Sequence, residues 1–390
     1  MTLTDRLGLG RADRTAAARW FWTIDRTLLS LLLVLIGLGI IAVAAASPAA
    51  AFRYSDANTR LDPLHFLQRQ FFWVAIGLPV LLGISMLSKS WAKRVAILGF
   101  GFFFLLLMLV PLIGHEVNGA VRWVMIGSFQ LQPVEFLKPC FIVATALLFA
   151  ARFEDRDLPV IPIGAALLGV MVVLLVGQPD FGQAALIVAI WVAQACLAGM
   201  SLWVVGGIIG GGIGGLALAY QFESHVRKRL DGFLHGEGDT YQVDRALDCF
   251  KSGGLFGTGP GEGVVKFKLP EPQTDYIFSV IGEEFGVIAC IALAILYLAI
   301  VTRVLLQLVE EDDPFTLLAA VGLVAQFGGQ AVINMAVNLA LAPSKGMTLP
   351  FISHGGSSFI ATAFGMGLLL ALTRRNRHIQ ASPYLRGVPA

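Results

Sequence analysis

The segment from Gly253 to Gly286 contains the residue types that could do chemistry in this chain. It reads GGLFGTGPGEGVVKFKLPEPQTDYIFSVIGEEFG and joins a polar stretch to an apolar one. Asp275 lies at that boundary, where burial and neighbouring charges can tune a carboxylate to act as a general base. A cap on the following helix is the alternative role, and local preference alone favours it. Glu283 and Glu284 lie further into the apolar stretch, where they need a water-filled cavity or a cation as partner.

Two more clusters of polar residues precede this segment. In NGAVRWVMIGSFQLQPVEFLKP, Arg122 is a candidate anion contact or, beside Trp123, an interfacial anchor. Glu135 and Lys138 are three residues apart, so they share a helix face as a plain ion pair or as ligand contacts. In GQPDFGQ, Asp180 is predicted to cap a helix, with a corner that faces a substrate as the alternative.

A fourth cluster, LAPSKGMTLPFISHGGSSFIA, lies near the C-terminus. Lys345 lies in a loop between prolines, and Ser357 and Ser358 open a helix. Backbone N–H groups and hydroxyls at a helix start suit an anion, and a flexible helix start is the open alternative. His354 is interpreted as a local hydrogen-bonding residue, because no second His or Cys stands at metal-ligand spacing.

Composition assigns the chain to the integral membrane proteins. Of its 390 residues, 56% are hydrophobic and only 14% are charged, with a formal net charge of +2. A soluble domain contains more charge, so that class is excluded. The small positive charge does not indicate nucleic acid as a partner, since membrane proteins collect Lys and Arg in their loops. The four scattered cysteines are interpreted as small apolar side chains rather than as metal ligands or disulfides.

About ten predicted membrane-spanning helices must position these clusters, each span needing roughly 20 apolar residues. The predicted fold class is therefore all-α, a polytopic membrane protein with a large outer loop between helices seven and eight. Short loops rich in Lys and Arg, together with the N-terminal arginines, define the cytoplasmic face and place both termini there. The predicted spans lie near residues 27–49, 68–87, 93–114, 133–151, 159–177, 181–199, 202–221, 276–302, 315–337 and 356–373.

The predicted organisation is a cytoplasmic arm at 1–26, one membrane domain at 27–373 and a cytoplasmic tail at 374–390. Inside the outer loop, residues 222–275, Tyr241–Phe250 is predicted to form a short amphipathic helix on the membrane surface. Its Arg245 is a candidate ligand contact. The glycines of SGGLFGTGPGEG predict turns, since a phosphate-binding loop would need a strand before it and a helix after it.

All four clusters fall on the outer face in this topology, which predicts a single polar site. A base, an arginine and lysines beside an apolar groove suit a lipid-linked diphosphate. Asp275 is the predicted base. The predicted substrate contacts are Arg122, Glu135, Lys138, Arg245, Lys345, Ser357 and Ser358.

Five motifs in this order resemble the SEDS family of bacterial cell-wall proteins. The resemblance covers essentially the whole chain beyond the N-terminal arm, and Lys345 favours the cell-division branch over the elongation branch. The motifs are NGAVRW with QPVEFLKP, the PDFG corner, YQVDRAL with SGGLFGTGPGEG, LPEPQTDYIFSVIGEEFG, and NLALAPSKGMTLPFISHGGSS.

This resemblance implies a peptidoglycan glycosyltransferase that polymerises lipid II on the outer face of the bacterial cytoplasmic membrane during septal wall synthesis. It implies a ten-helix fold and an essential Asp at position 275. It implies a class B penicillin-binding protein and other division proteins as partners. It also associates activity with a divalent cation, Mg or Mn, for which the sequence shows no ligand set.

The chain departs from the family pattern in several motifs. Gln273 stands where His is common, Gln178 where Glu is common, Val134 where Ser is common and His354 where Tyr is common. A single Arg122 replaces a frequent pair of arginines. Because Asp275 is retained, activity is still expected, whereas these departures put Gln273, Gln178 and His354 in doubt as functional residues.

The resulting hypothesis is that Asp275 takes the proton of the acceptor's sugar hydroxyl. Arg122, Lys345 and Lys138 would then stabilise the diphosphate leaving group. A lipid II flippase and a non-catalytic scaffold of the division complex are the alternatives. Transporters generally place their site near the bilayer midplane, so a site at one face favours the polymerase.

Overall fold

The computed structural model describes residues 15–55, 60–117, 120–127, 129–222, 227, 241–343 and 346–374. Ten apolar helices in these ranges match the ten predicted spans, which confirms that part of the fold. They are α2 (Arg26–Tyr54), α3 (His65–Ser85), α4 (Lys89–Ile113), α5 (Pro133–Glu154), α6 (Val160–Gly177), α7 (Phe181–Leu197), α8 (Leu202–Phe222), α10 (Ile277–Leu308), α11 (Pro314–Asn338) and α12 (Gly356–Leu372). Two others, α1 (Ala16–Thr23) and α9 (Tyr241–Gly253), lie outside the predicted spans.

Length and composition make the chain a multi-pass membrane protein. Within the described ranges, seven helices are long and apolar enough to cross a membrane, and the apolar parts of α7, α8 and α12 are shorter. Polar residues at the helix starts set where several of them begin. The carboxylate of Asp25 accepts hydrogen bonds from the backbone N–H groups of Thr27 and Leu28 before α2. Ser88 and Asp313 cap α4 and α11 in the same way.

Helix α5 lies at the centre of the bundle, because it packs against α4, α6, α7, α11 and α12. Small residues permit the close contacts. A Cβ atom added to Gly322 of α11 would lie 2.5 Å from Ile142 of α5 and 2.6 Å from Gln194 of α7. Any larger residue at this position would push the three helices apart, as is usual for small residues at helix interfaces in membranes.

A small antiparallel sheet replaces the short outer loop that the sequence predicted between α4 and α5. Its strands are β1 (His115–Val117), β2 (Ala120–Ile126) and β3 (Phe129–Leu131), in the order β1-β2-β3. The loop prediction was wrong because it overlooked the β-branched and aromatic residues of VRWVMI, which favour a strand. The sheet is a minor addition to an all-α fold, but it carries Arg122.

Residues 241–275 of the outer loop fold back onto the membrane helices. Helix α9 forms as predicted, but it packs on α10 and on a 3-10 turn at Val265–Lys268 rather than standing alone on the membrane surface. Helix α10 is broken at Gly286, whose φ is 81°. The backbone groups that lose their helical partners at the break form hydrogen bonds with the glycine-rich loop. These bonds are Thr258 N to Glu283 O at 2.9 Å, Gly259 N to Glu284 O at 3.1 Å, and Val287 N to Gly254 O at 3.0 Å.

These contacts explain the glycines of the loop. A Cβ atom at Gly253 or Gly257 would overlap the backbone carbonyls of α10 next to the break. Both glycines are therefore needed for close backbone approach, and Gly257 also has a positive φ of 86°. Backbone groups freed by a break in a membrane helix must find partners, and the loop supplies them.

The partners of Glu283 and Glu284, which the sequence left open, are protein groups. Glu283 is fully buried and accepts hydrogen bonds from Val265 N at 2.7 Å and Lys266 N at 2.8 Å. Glu284 pairs with the buried ammonium of Lys266, which also donates to Ala45 O of α2 at 2.9 Å. The cation needed by a carboxylate at this depth thus comes from the outer loop itself.

The chain ends are only partly described. Residues 1–14 of the predicted arm and residues 375–390 of the predicted tail lie outside the described ranges. The remainder of the arm contains α1 and the Asp25 cap, and Arg374 Nη2 donates to Leu87 O at 2.6 Å. The division into these three segments stays a prediction.

Candidate active site

The four polar clusters meet at one end of the helix bundle, as the sequence predicted. Hydrogen bonds connect every cluster to at least one other. They run from Arg122 to the Gln178 and Pro179 carbonyls (2.7 and 2.6 Å), from Lys138 to Gln183 (2.7 Å) and Gln330 (3.1 Å), from Gln330 to the Thr348 carbonyl (3.0 Å), and from Ser353 to the Thr274 carbonyl (2.6 Å).

Asp275 does not cap a helix. Helix α10 begins at Ile277, and its N-cap is Tyr276, which makes no side-chain cap hydrogen bond. Among the residues described, none donates a hydrogen bond to the Asp275 carboxylate, and the residue as a whole is half-buried. The cap interpretation was wrong because the chain makes a further turn, from Glu271 to Tyr276, before the helix starts.

Two amides of α11 hold the backbone of Asp275. Asn334 and Asn338 each donate from Nδ2 to the Asp275 carbonyl oxygen at 2.9 Å, and both are buried. The Asn338 carboxamide oxygen also accepts from Ser279 N at 3.0 Å and Ser279 Oγ at 2.8 Å. Because these bonds fix the peptide and leave the carboxylate open, the side chain is positioned without being neutralised.

The surroundings raise the pKa of Asp275 to about 7. Burial is the largest cause, the negative charge of Glu271 adds to it, and the positive charge of Arg122 opposes it. Glu271 has a positive φ of 52° between two prolines. Its own oxygens accept from Tyr54, Gln273 and Thr274, so its charge stays fixed near Asp275. A pKa near neutrality is what a general base needs.

Arg122 links the sheet to the PDFG corner. Its Nε and Nη2 groups donate to the carbonyls of Gln178 and Pro179, and Pro179 has an unusual positive φ of 28°. Asp180 occupies the predicted N-cap position of α7, but its side chain makes no cap hydrogen bond to the helix. Its carboxylate instead accepts from Gln132 Nε2 at 3.4 Å. Burial raises the pKa of Asp180, and the charge of Arg122 opposes that shift.

Glu135 and Lys138 form a buried network next to this corner. Their side chains pair at 3.0 Å and are 5% and 0% exposed. Gln183 Nε2 donates to Glu135 at 2.6 Å, and Lys138 donates to both Gln183 and Gln330. All three ammonium hydrogens therefore have partners inside the protein, and a direct bond from Lys138 to a ligand would require one of them to be released.

The other predicted contacts have different surroundings. Arg245 lies on α9, pairs with Asp248 at 2.9 Å and stacks on Tyr241. Ser357 is buried, and Ser358 Oγ lies 2.7 Å from Thr348 Oγ1. Lys345 lies outside the described residues, but a Cβ atom on the next residue, Gly346, would lie 3.3 Å from Asp275 Oδ2.

His354 is a local hydrogen-bonding residue, as predicted. Its Nδ1 lies 3.1 Å from Gln70 Oε1, and its backbone N donates to Gln273 O at 2.8 Å. Burial, followed by the positive charge of Arg69, lowers the pKa of His354 to about 4, so the ring is neutral at pH 7. Gln273 is buried, accepts from His354 N through its carbonyl and donates to Glu271 through its side-chain amide. It therefore stabilises the turn from Glu271 to Tyr276.

A metal ion was tested against the donor groups at this site. In the described ranges, no group of three or more His, Cys, Asp or Glu side chains is arranged to hold a metal ion. Glu271, whose negative charge raises the pKa of Asp275, already accepts hydrogen bonds from three protein donors. The donor set does not fit a metal site, and the requirement for Mg or Mn stays a prediction.

The amides of α11 are not among the residues predicted from the sequence. Gln326, Gln330, Asn334 and Asn338 are spaced four residues apart in an apolar helix, and all are buried. Polar residues at this depth are costly unless they face partners, so their regular spacing was a readable signal. Three of them contact the site, through Lys138, Thr348 and the Asp275 backbone.

Comparison with known proteins assigns this architecture. The cell cycle protein family that comprises FtsW, RodA and SpoVE matches residues 26–378. This chain belongs to the FtsW/RodA/SpoVE family. A protein of Caulobacter vibrioides (strain NA1000 / CB15N), named probable peptidoglycan glycosyltransferase FtsW, is 40% identical over 366 residues, which cover 94% of this chain and 93% of that protein. A protein of the same name from Alkalilimnicola ehrlichii is 35% identical, covering 99% and 97%.

Solved structures of family members agree with this assignment. A chain from a structure described as the coordination of polymerization and crosslinking by a peptidoglycan synthase complex is 27% identical. Its TM-score is 0.73, with 90% of this chain and 97% of that one covered. The rod shape determining protein RodA of Thermus thermophilus gives a TM-score of 0.64 at 28% identity, covering 90% and 96%. The family fold therefore extends over nearly the whole chain.

Proposed function

We propose that this chain polymerises lipid II into glycan strands, with Asp275 as the general base. One observation carries the assignment of the base: the Asp275 peptide is held by two buried amides while its carboxylate, with a pKa of about 7, keeps no donor among the described residues. Relatives named probable peptidoglycan glycosyltransferase FtsW support the reaction class.

The reaction is a displacement at the anomeric carbon of the lipid-linked strand. Asp275 takes the proton from a sugar hydroxyl of the acceptor, and that oxygen forms the new glycosidic bond. The bond from the anomeric carbon to the diphosphate breaks, and the polyprenyl diphosphate leaves with the electron pair. Positive charge near the diphosphate would lower this barrier, and we assign that role to Arg122 and Lys345.

We assign Glu135 and Lys138 to positioning in this proposal. Their network joins α5 to α7 and, through Gln330 of α11, to the Thr348 carbonyl, so it holds these helices and Thr348 in place beside the site. Arg245, Ser357 and Ser358 stay predicted substrate contacts at the edge of the site.

The experiment is a lipid II polymerisation assay on the purified full chain. Asp275→Asn should slow polymerisation by about 10²- to 10⁴-fold, the range for general-base catalysis. Glu262→Gln, which neutralises an exposed acid of the same outer loop, is the control and should retain full activity. A folded Asp275→Asn protein that makes glycan at the normal rate would show that the base assignment is wrong.

The same assay separates the alternative functions. A flippase would expose lipid II across a vesicle membrane and yield no polymer, and a scaffold would do neither. The site lies at the ends of α10 and α11 rather than at their middles, which supports the enzyme over a transporter.

We further propose the setting of this activity. The chain would lie in the bacterial cytoplasmic membrane at the division septum, with both termini in the cytoplasm. A class B penicillin-binding protein and other division proteins would be its partners, and the structural neighbour from a peptidoglycan synthase complex supports a transpeptidase partner. Co-purification with a candidate transpeptidase, and higher polymer yield in its presence, would test the partnership.

A further inference from the structure

A cavity of about 320 Å³ opens at the end of the bundle opposite Asp275. Helix α5 starts at Pro133 beside the active site, and its 22 residues end near this cavity, about 33 Å away along the helix axis. The residues that line it are Arg152, Phe153, Arg156, Leu197, Ala198 and Gly199. The site is therefore separate from the one that would transfer sugars.

The cavity has a cationic wall. Arg152 lies in the last turn of α5 and Arg156 in the turn that follows the helix. Both line the cavity, whereas the acidic residues of the same segment, Glu154, Asp155 and Asp157, do not. In the described part of the chain, neither guanidinium pairs with an acidic side chain, since the salt bridges there join other residues. Asp155, which lies between them in sequence, accepts from the Asp157 backbone N at 3.0 Å.

The backbone carbonyls at the C-terminus of α7 do not compensate the positive charge of these arginines. A helix C-terminus normally presents free carbonyls that attract cations. Here the carbonyls of Gln194, Ala195 and Cys196 accept from the backbone N–H groups of the following turn, at 3.0, 2.9 and 3.0 Å. Gly199, with a φ of 88°, makes that turn possible. The arginines consequently keep their capacity to bind an external anion.

The opposite wall is apolar and lies at the membrane boundary. Phe153 and Leu197 are 53% and 47% exposed, and both point away from the packed core. Helix α8 starts just after the cavity with Leu202 and Trp203, which are 80% and 91% exposed. Exposed tryptophan is typical of the level where lipid headgroups meet the hydrocarbon. A molecule in this cavity would meet guanidinium groups on one side and lipid on the other.

We propose that this cavity binds an anionic phospholipid, with the phosphate at Arg152 and Arg156 and the acyl chains along Phe153 and Leu197. Guanidinium groups bind phosphate through paired hydrogen bonds, and basic pockets between membrane helices suit anionic headgroups. The inference rests on the cavity alone and holds whether or not the chain transfers sugars.

The test measures lipid bound to the purified full chain by native mass spectrometry. Phosphatidylglycerol is the anionic probe, and phosphatidylcholine with the same acyl chains is the zwitterionic one. The wild type should prefer phosphatidylglycerol by about 30-fold, the factor expected for two arginines next to anionic headgroups. Arg152→Gln with Arg156→Gln should remove that preference, whereas Arg94→Gln should retain it.

The control residue is an arginine outside the cavity. Arg94 is exposed near the start of α4, at the same end of the bundle, and stacks on Trp91. Equal binding of the two lipids by the wild type would overturn the proposal. So would an unchanged preference in the double variant, or displacement of phosphatidylglycerol by glycerol 3-phosphate at equal concentration, which would indicate a site for small anions.

A single variant guards against misfolding. Arg156 is exposed in the turn after α5, so Arg156→Gln leaves the core unchanged and should lower the preference roughly fivefold. Replacing both arginines by lysine keeps the charge and should keep most of the preference. A phosphate contact at this cavity would be contradicted if the double lysine variant lost its preference for phosphatidylglycerol while Arg156→Gln left that preference unchanged.

Discussion

Asp275 and Glu283 are carboxylates of one short segment, and the structure treats them in opposite ways. Glu283 is fully buried, and its side-chain oxygens accept from Val265 N, Lys266 N and the Cys249 thiol. Asp275 has its backbone carbonyl held by two amides and its carboxylate left without a described donor. A carboxylate whose oxygens accept hydrogen bonds from the protein stabilises the fold. A carboxylate that has no such donors, on a peptide held in place by other bonds, is available to act as a base.

The largest expected effect is on polymerisation activity rather than on stability, and it distinguishes Asp275 from Glu283. Asp275→Asn should abolish most polymerisation, by about 10²- to 10⁴-fold, and leave the melting temperature of the purified protein within a few degrees of the wild type. Removing an open carboxylate breaks no internal hydrogen bond. A large drop in melting temperature for this variant would mean that Asp275 is structural, as Glu283 is.

Glu283→Ala should act on stability. The backbone N–H groups of Val265 and Lys266 would lose their acceptor, at about 1–3 kcal/mol each, so we expect a loss of roughly 2–6 kcal/mol in the free energy of unfolding. Thermal unfolding in detergent measures it. Glu283→Gln retains an acceptor and is the matched control, with a smaller loss. If Glu283→Ala stayed fully stable but inactive, the comparison would be reversed.

Asn338→Ala should loosen the Asp275 peptide. We expect polymerisation to fall roughly tenfold to hundredfold, since small displacements of a catalytic group cost about that much. The effect should appear in kcat more than in KM. Gln326→Ala is the control, because it removes a buried amide from the same helix away from Asp275. Equal losses in the two variants would indicate a general packing defect instead.

The smallest effects concern pH. With a pKa of about 7, the base is protonated in acid, so the rate should fall tenfold per pH unit below about pH 7. Glu271→Gln removes a negative charge that raises this pKa, so the acid limb should move to lower pH. Arg122→Gln removes a charge that lowers it and should move the limb to higher pH. Shifts in the same direction for both variants would disprove this electrostatic account.

Much of the fold could be predicted from the sequence because hydropathy is local. The ten apolar runs matched α2–α8 and α10–α12 within a few residues at most boundaries, and α9 formed where its amphipathic pattern began. The shared face of the four clusters followed from counting spans. The sheet around Arg122 was missed because its short strands lie between helices and were taken for a connection.

The site was predictable in its residues and not in its contacts. Asp275 was found through its motif, whereas local preference made it a helix cap. Glu271 and the α11 amides were overlooked, although the four-residue spacing from Gln326 to Asn338 was visible. Hydrogen bonds between residues far apart in sequence, such as Asn338 to Asp275, leave no local pattern.

By itself, the sequence determined that this is a polytopic membrane protein with its polar clusters on one face, because burying charge in lipid is too costly to be accidental. Only the tertiary structure decided which carboxylate in Gly253–Gly286 is open. That depends on which donors the folded chain brings within hydrogen-bonding distance. The outer loop places Lys266 beside Glu284 and supplies backbone N–H groups to Glu283. Helix α11 fixes the peptide of Asp275 and leaves its carboxylate without a described donor.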